Sequence, residues 1–426
     1  MPRKEYEWVD GAPPRIAPHS LAKHRILREY AGRYVQTVTQ NPRQERLRLA
    51  IVDGFAGGGE YEDATAGCTV PGSPQILIDA VHEAEGLANV GRRKPIQVDA
   101  TFHFVEMEPR TVACLRAVLA RRPDWNREAP RVHIHEGSFE QHLEPIIADI
   151  QRQGRIHRAI FVLDQYGYTA VPLPLIRRIF EALPNAEIFL TIAVGWITAY
   201  LPTIADMATK LGLPREVLDH IARDEGTAFD VDDPNRRPDL FAVQRLLQQV
   251  FTRFGSIFYT PFFIVSRDSH RPYWFLHLAK SFRAHDVVTD LHWRVQNHFE
   301  HFGAPGIGML GYDPLRDRDL IRQLPLFRFD ERARGLTRDA LMVGLPERMH
   351  AQFADGTSFG NLMCEIANDM PATEAQVAQI ISDLCREGEL SKRGAAGQRR
   401  APETLPRVDD LIELPRQLRL SIPRRS

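Results

Sequence analysis

The stretch LRLAIVDGFAGGGEY (47–61) decides the fold. Its apolar first half reads as a β-strand. Its second half, Asp53-Gly54-Phe55-Ala56-Gly57-Gly58-Gly59, reads as a glycine loop leaving that strand. Glycines let a backbone turn sharply and approach a ligand without a Cβ in the way. A helix beginning after such a loop offers free N–H groups to a carboxylate or phosphate. The loop fits a dinucleotide, a methyl donor or a plain structural turn. The phosphate-loop pattern G-x-x-x-x-G-K-[ST] is absent, which argues against an NTPase.

Outward from the loop, strands alternate with helices. Helical patterns are expected over 74–86 and 109–121, each opened by a proline. Strands are expected over 99–108, 131–137, 157–168 and 186–196. This alternation predicts an α/β fold with a doubly wound, mostly parallel sheet and crossover helices. Residues 1–19 read as an irregular arm. Ser20 is a plausible N-cap for an amphipathic helix carrying Leu21, His24, Ile26, Leu27, Tyr30 and Tyr34. The α/β domain is expected to span 20–300, with an acidic helical insertion at about 203–253 and closing antiparallel strands within 254–296. A linker at 301–329 follows, and then a C-terminal domain at 330–426.

Four cysteines, Cys68, Cys114, Cys364 and Cys385, are far apart and form no C-x-x-C pair. That spacing argues against a zinc knuckle or a disulfide framework and fits a reducing cytoplasm. No metal site is expected; His292, His298 and His301 lie close together but read as packing or surface residues. The charged N-terminus has no apolar signal region, and the run 186–197 is too short for a membrane span. Net charge is −1, yet residues 1–48 carry ten Lys/Arg against five Asp/Glu and residues 386–426 ten against six. Basic ends on an acidic body suit nucleic-acid contact, or simply a solvated surface.

Three further motifs follow the glycine loop. Glu106 ends the second strand, where a carboxylate can accept hydrogen bonds from ribose hydroxyls; Glu108 is the alternative, and both can simply be solvated. Ser138 and Phe139 follow the third strand, placed for a hydrogen bond to, and stacking on, an adenine. Asp164-Gln165-Tyr166-Gly167-Tyr168 follows the fourth. There Asp164 and Gln165 can accept the N–H groups of an exocyclic amine, and Tyr166 can stack on an extruded base. The competing assignment makes Asp164 a helix cap and the tyrosines packing residues.

Asp53, Phe55, Gly57 and Gly59 match the acid and FxGxG core of class I methyltransferases, and Gly54 and Ala56 complete the expected cofactor loop. Together with Lys23-His24, DGFAGGGEY (53–61), GSP (72–74), FVEMEP (104–109), DQYGY (164–168) and YWFLHLAKS (273–281), the chain resembles the three-Cys-motif partner (TcmP) family over roughly residues 20–300. That resemblance implies a Rossmann-like methyltransferase fold, S-adenosyl-L-methionine as cofactor and a radical-SAM-like protein as partner. The chain departs where Gln165 and Tyr166 replace Pro and Phe of the family's DPFG-like turn. A proline would rigidify that turn, so the change weighs against an N6-adenine-like mechanism. A methyltransferase acting on a nucleic-acid base and a catalytically inactive scaffold of the same fold are therefore both carried forward. A nuclease is disfavoured because no PD-ExK-like or HNH-like cluster is visible.

In the last hundred residues, Thr373 and Gly388 read as the N-cap and C-cap of a helix, preceded by another over 357–370. The Gly-rich basic GAAGQRRAPETL follows. Helix, turn, helix and β wing is the winged-helix pattern, with Arg393, Arg399 and Arg400 as candidate phosphate contacts to DNA or RNA. Protein–protein docking is the alternative use of the same module.

Overall fold

The computed structural model describes residues 7–8, 12–154, 156, 158–165, 170–192, 247–252, 257–265, 272–295, 300–302 and 326–415. The described residues form two compact units, one comprising those to Phe302 together with Leu326–Arg328 and the other starting at Phe329.

The first unit opens with helix α1 (Pro18–Val38) and strand β1 (Arg46–Asp53). The hairpin β2 (Glu60–Asp63) and β3 (Cys68–Pro71), helix α2 (Ser73–Asn89), β4 (Gln97–Glu106) and α3 (Pro109–Ala120) follow. After the single turn α4 (Trp125–Glu128) come β5 (Val132–Glu136), α5 (Phe139–Arg152), β6 (Arg158–Leu163), α6 (Leu173–Ala182) and β7 (Asn185–Ile192). Strands β8 (Phe258–Val265) and β9 (Pro272–Ala279) and helix α7 (Phe282–Arg294) complete the sheet layer. Nearly all of the expected 203–253 insertion lies outside the described residues. At the two ends of the expected linker, β10 (Glu300–Phe302) pairs antiparallel with β11 (Leu326–Arg328).

The seven-stranded sheet runs β5-β4-β1-β6-β7-β9-β8. Its first five strands are parallel, and β9 enters antiparallel between β7 and β8. Counted along the chain within this sheet, the order is 3-2-1-4-5-7-6. A mostly parallel sheet with this order and helices on both faces fits a Rossmann-like methyltransferase fold.

Strand alternation explains the layers. Leu47, Leu49 and Ile51 of β1 face a core shared with α1, α2, α3 and α7. Ala50 and Val52 face the opposite core, built with α5 and α6. Both faces are covered, so β1 is apolar almost throughout, as parallel strands are. Helix α1 begins two residues before the expected cap, with Pro18 in its first turn and Ala17 rather than Ser20 at the N-cap. Its buried stripe holds Ile26, Leu27, Tyr30, Tyr34 and Val35, and also Lys23 and His24. Two charged-type residues on an apolar helical face need partners inside the protein.

The second unit comprises α8 (Glu331–Gln352), β12 (Thr357–Ser358), α9 (Phe359–Ile366), α10 (Glu374–Glu387), β13 (Ser391–Arg393) and β14 (Leu411–Glu413). The strands form an antiparallel sheet in the order β12-β14-β13. Thr373 caps α10 in a capping box with Gln376, and Gly388 ends it at φ +82°, in the left-handed region. Leu341, Leu345, Leu362, Ile366, Val377 and Ile381 are buried in this unit.

Candidate functional site

The sheet order reverses at β1, between β4 and β6. In open α/β sheets the crevice beyond the carboxyl ends of the strands at such a point is the usual ligand site. Asp53, Glu106 and Leu163 end β1, β4 and β6, and Asp164 follows directly. Chain positions more than a hundred residues apart thus meet at one sheet edge.

The loop after β1 has the geometry that its glycines allow. Gly57 and Gly59 adopt φ +63° and +88°, where side chains with a Cβ are strained. Gly57 N–H donates to Glu106 Oε2 at 3.1 Å, and Glu108 N–H donates to Glu106 Oε1 at 2.9 Å. Glu106 is therefore fixed in place while each oxygen keeps a second acceptor site for a ribose hydroxyl. Gly72, of the GSP triplet, packs on the Gly59 backbone; a Cβ there would lie 2.9 Å from Gly59 C.

Asp53 is fully buried. Phe55 N–H donates to its Oδ1 at 3.1 Å, while Oδ2 has no hydrogen-bond partner among the described residues. Burial pushes its carboxyl up to about 7. Hydrogen bonds from Ser73 and Phe55 oppose that rise, and the charges of Asp164 and Glu106 add to it. A buried acceptor left without a donor is costly, and it marks where a cationic or N–H-bearing ligand would be welcomed. The Asp53 carboxyl, the glycine loop and Glu106 are the groups that could hold the amino-acid and ribose parts of a methyl donor.

The opposite wall is an ion pair. Lys23 Nζ lies 2.6 Å from both carboxylate oxygens of Asp164. Lys23 is 4% exposed, whereas a third of the Asp164 side chain remains accessible. Burial acts to raise the Asp164 carboxyl, but the charge and hydrogen bonds of Lys23, with Thr191 and His24 assisting, hold it below the ordinary carboxylate range. Asp164 is thus ionised at neutral pH. His24 beside it is driven down to about 4 by burial and by the Lys23 charge, against the pull of Asp164. Its imidazole is neutral at pH 7, and Nδ1 has no partner among the described residues.

The other expected site residues fall in different places. Gln165 is buried, and its Oε1 accepts the Val171 N–H at 3.0 Å. Tyr166 lies outside the described residues. Ser138 is the N-cap of α5, accepting the Gln141 N–H at 3.3 Å. Phe139 is 3% exposed and sits in the core beside Phe55 and Phe161, against the Gly54 backbone. Both therefore already serve the fold. Gly54 and Ala56 are buried in the loop, and Ala56 N–H donates to Val105 O at 3.0 Å, fastening the loop to β4. Lys23 and His24 enter the site although motif spacing alone did not assign them there; the signal was their place on an apolar helical face.

In the second unit, Arg393 pairs with Glu413 at 2.7 Å, and Arg400 with the buried Asp410 at 3.0 Å. Arg399 is exposed. Two of the three candidate phosphate contacts are thus tied to acids of their own unit.

No family model and no curated protein matches the chain. Solved structures similar to it include a DUF519 protein of Legionella pneumophila (10% identity, 60% of this chain and 85% of that one, TM-score 0.33). The plantazolicin methyltransferase BpumL in complex with SAH is another (9%, 62% and 88%, TM-score 0.28). The O-methyltransferase TomG from Streptomyces achromogenes, in complex with SAM, is a third (11%, 63% and 92%, TM-score 0.26). Likenesses at these scores carry no weight of their own, and the fold assignment rests on strand order and direction.

Proposed function

We propose that the first unit binds S-adenosyl-L-methionine and transfers its methyl group to a nitrogen of a nucleic-acid base. One observation supports this reading: the glycine loop, Glu106 and the Lys23-paired Asp164 all stand at the carboxyl ends of the neighbouring strands β1, β4 and β6, where the sheet order reverses. Glu106 would hold the ribose hydroxyls, and Asp53 the donor's amino-acid end. The bound donor supplies an electrophilic methyl group. Asp164 would accept an N–H hydrogen bond from the acceptor amine, concentrating electron density on a nitrogen whose lone pair is otherwise delocalised. Lys23 keeps that carboxylate charged and oriented. Calorimetric titration of the full chain with S-adenosyl-L-methionine, followed by tritiated methyl transfer to DNA and RNA, tests the proposal; absence of donor binding would overturn it.

A second reading, a scaffold without catalysis, is favoured by the Lys23–Asp164 pair itself, since an acid neutralised by a buried lysine serves stability as readily as chemistry. Transfer by the wild type on any nucleic acid would exclude it. The second unit has the helix–strand–helix–helix–hairpin order of a winged helix, and we assign it that fold and a nucleic-acid contact through Arg399 at the wing. Membership of the TcmP family, with a radical-SAM-like partner, is the reading that the ordered motifs support; co-purification of that partner with the full chain tests it.

A further inference from the structure

The N-terminal arm reaches the glycine loop. Trp8 Nε1 donates to Glu60 O at 3.1 Å, and its ring meets Tyr61 edge-on at 5.4 Å between centroids. Behind it the arm is fastened to the hairpin: Ile16 N–H donates to Glu62 O and Glu62 N–H to Pro14 O, both at 2.9 Å. A Cβ on Gly58 would lie 2.2 Å from Trp8 Cδ1, and one on Gly57 would lie 2.9 Å from Trp8 Cη2. Gly57 needs to be glycine for its positive φ alone. Gly58 has no positive φ, so its missing side chain answers to the indole. The indole thus has a seat cut for it and is held there by a hydrogen bond and a ring contact.

The aromatic row continues. Tyr61 stands 6.2 Å from His24, which adjoins Lys23, the partner of Asp164. Three rings therefore run from the glycine loop to the acid proposed to face the acceptor. Resting on the donor-binding reading above, the methyl carried between loop and acid would be attached to a sulfonium in this same interval. Aromatic faces attract a desolvated cation and have no such attraction for a neutral thioether.

We infer that Trp8 and Tyr61 form an aromatic wall of the donor site that recognises the positive charge of the sulfonium, so that the site favours the charged donor over its neutral S-adenosylhomocysteine product. The seat at Gly58 makes the inference testable by coupling as well as by loss.

Calorimetry on the full chain with S-adenosylmethionine and S-adenosylhomocysteine, for wild type, Trp8→Ala, Trp8→Phe, Gly58→Ala and the Trp8→Ala/Gly58→Ala pair, provides the test. Trp8→Ala is expected to weaken the donor by about fivefold or more and the product by less. Trp8→Phe, which keeps a ring on the glycines, should retain most of the affinity and a wild-type melting curve. Gly58→Ala should lose affinity by unseating the indole, yet lose nothing further in the Trp8→Ala background. Equal affinities of wild type and Trp8→Ala, an equal loss for donor and product, or additive losses for Trp8 and Gly58 would each overturn the aromatic wall and leave the donor reading standing. Wild type binding neither molecule would overturn both.

Discussion

Lys23 and Asp164 offer the sharpest energetic test, because the two members of the pair are buried so unequally. Removing one partner of a buried ion pair costs roughly 3–5 kcal/mol, since the other charge is left without compensation. Asp164→Ala leaves the Lys23 ammonium at 4% exposure with its hydrogen bonds gone. Water can reach the vacated position through the open third of Asp164, so the low end applies, about 3 kcal/mol. Lys23→Met preserves the buried aliphatic stem and leaves a carboxylate that water can partly solvate, costing about 1–2 kcal/mol. The double variant has no charge to strand, and its loss should fall short of the sum by about 2 kcal/mol. All five tryptophans lie between positions 8 and 293, so tryptophan fluorescence in urea reports on the first unit alone. Asp164 is depressed in the folded state, so its contribution is present above the unfolded carboxylate value and is lost as pH falls through the folded one. The coupling should therefore disappear on acidification. Losses that add to within about 0.5 kcal/mol at pH 7 would refute the argument.

Asp53 titrates in the opposite sense. Its folded value, about 7, stands above the unfolded one, so the native state loses stability as pH rises from about 4 to 7. Asp53→Asn should flatten that slope in melting curves taken across this range, and an unchanged slope would show that the carboxyl is not the group responsible. Gly57→Val should abolish calorimetric donor binding, because position 57 is at φ +63° and faces Trp8 and Tyr61; wild-type affinity would remove the loop from the site. Asp164→Asn, which keeps shape while losing charge, should suppress tritiated methyl transfer by at least about a hundredfold with donor affinity nearly intact; activity surviving in a folded variant would leave Asp164 a structural role only. In the wing, Arg399→Ala should weaken nucleic-acid binding and lower its salt slope by about one, whereas Arg400→Ala should chiefly lower the melting temperature by stranding Asp410.

The sheet was legible because parallel strands covered on both faces are written as apolar runs, and four of them, β1, β4, β6 and β7, recur between helical patterns. Three elements were not legible, for different reasons. Helix α8 contains Gly335, Gly344 and Pro346, which break the local pattern; burial of Leu341, Leu345 and Met349 holds it as a helix. The β2–β3 hairpin is short and largely exposed, so it has no apolar alternation to betray it. The ladder of β10 with β11 joins segments more than twenty residues apart, with no periodicity in either.

The site divides along the same line. The positions of Asp53, the loop glycines and Glu106 were readable because they are set locally: acids at strand ends, a backbone that must turn. Ser138 and Phe139 were read from position after a strand, but position does not say which way a residue faces. One caps a helix and the other completes a core. The Lys23–Asp164 pair spans 141 residues, and no spacing rule connects them. What the sequence did contain was an anomaly, a lysine and a histidine on the buried face of an amphipathic helix. A charge in that place either finds a counter-charge or does not stay buried. Once the sheet brings the end of β6 beneath α1, Asp164 is the carboxylate that answers it. Lys23 holds that acid below the ordinary carboxylate range, whereas Asp53, buried without a counter-charge, is pushed up to about 7.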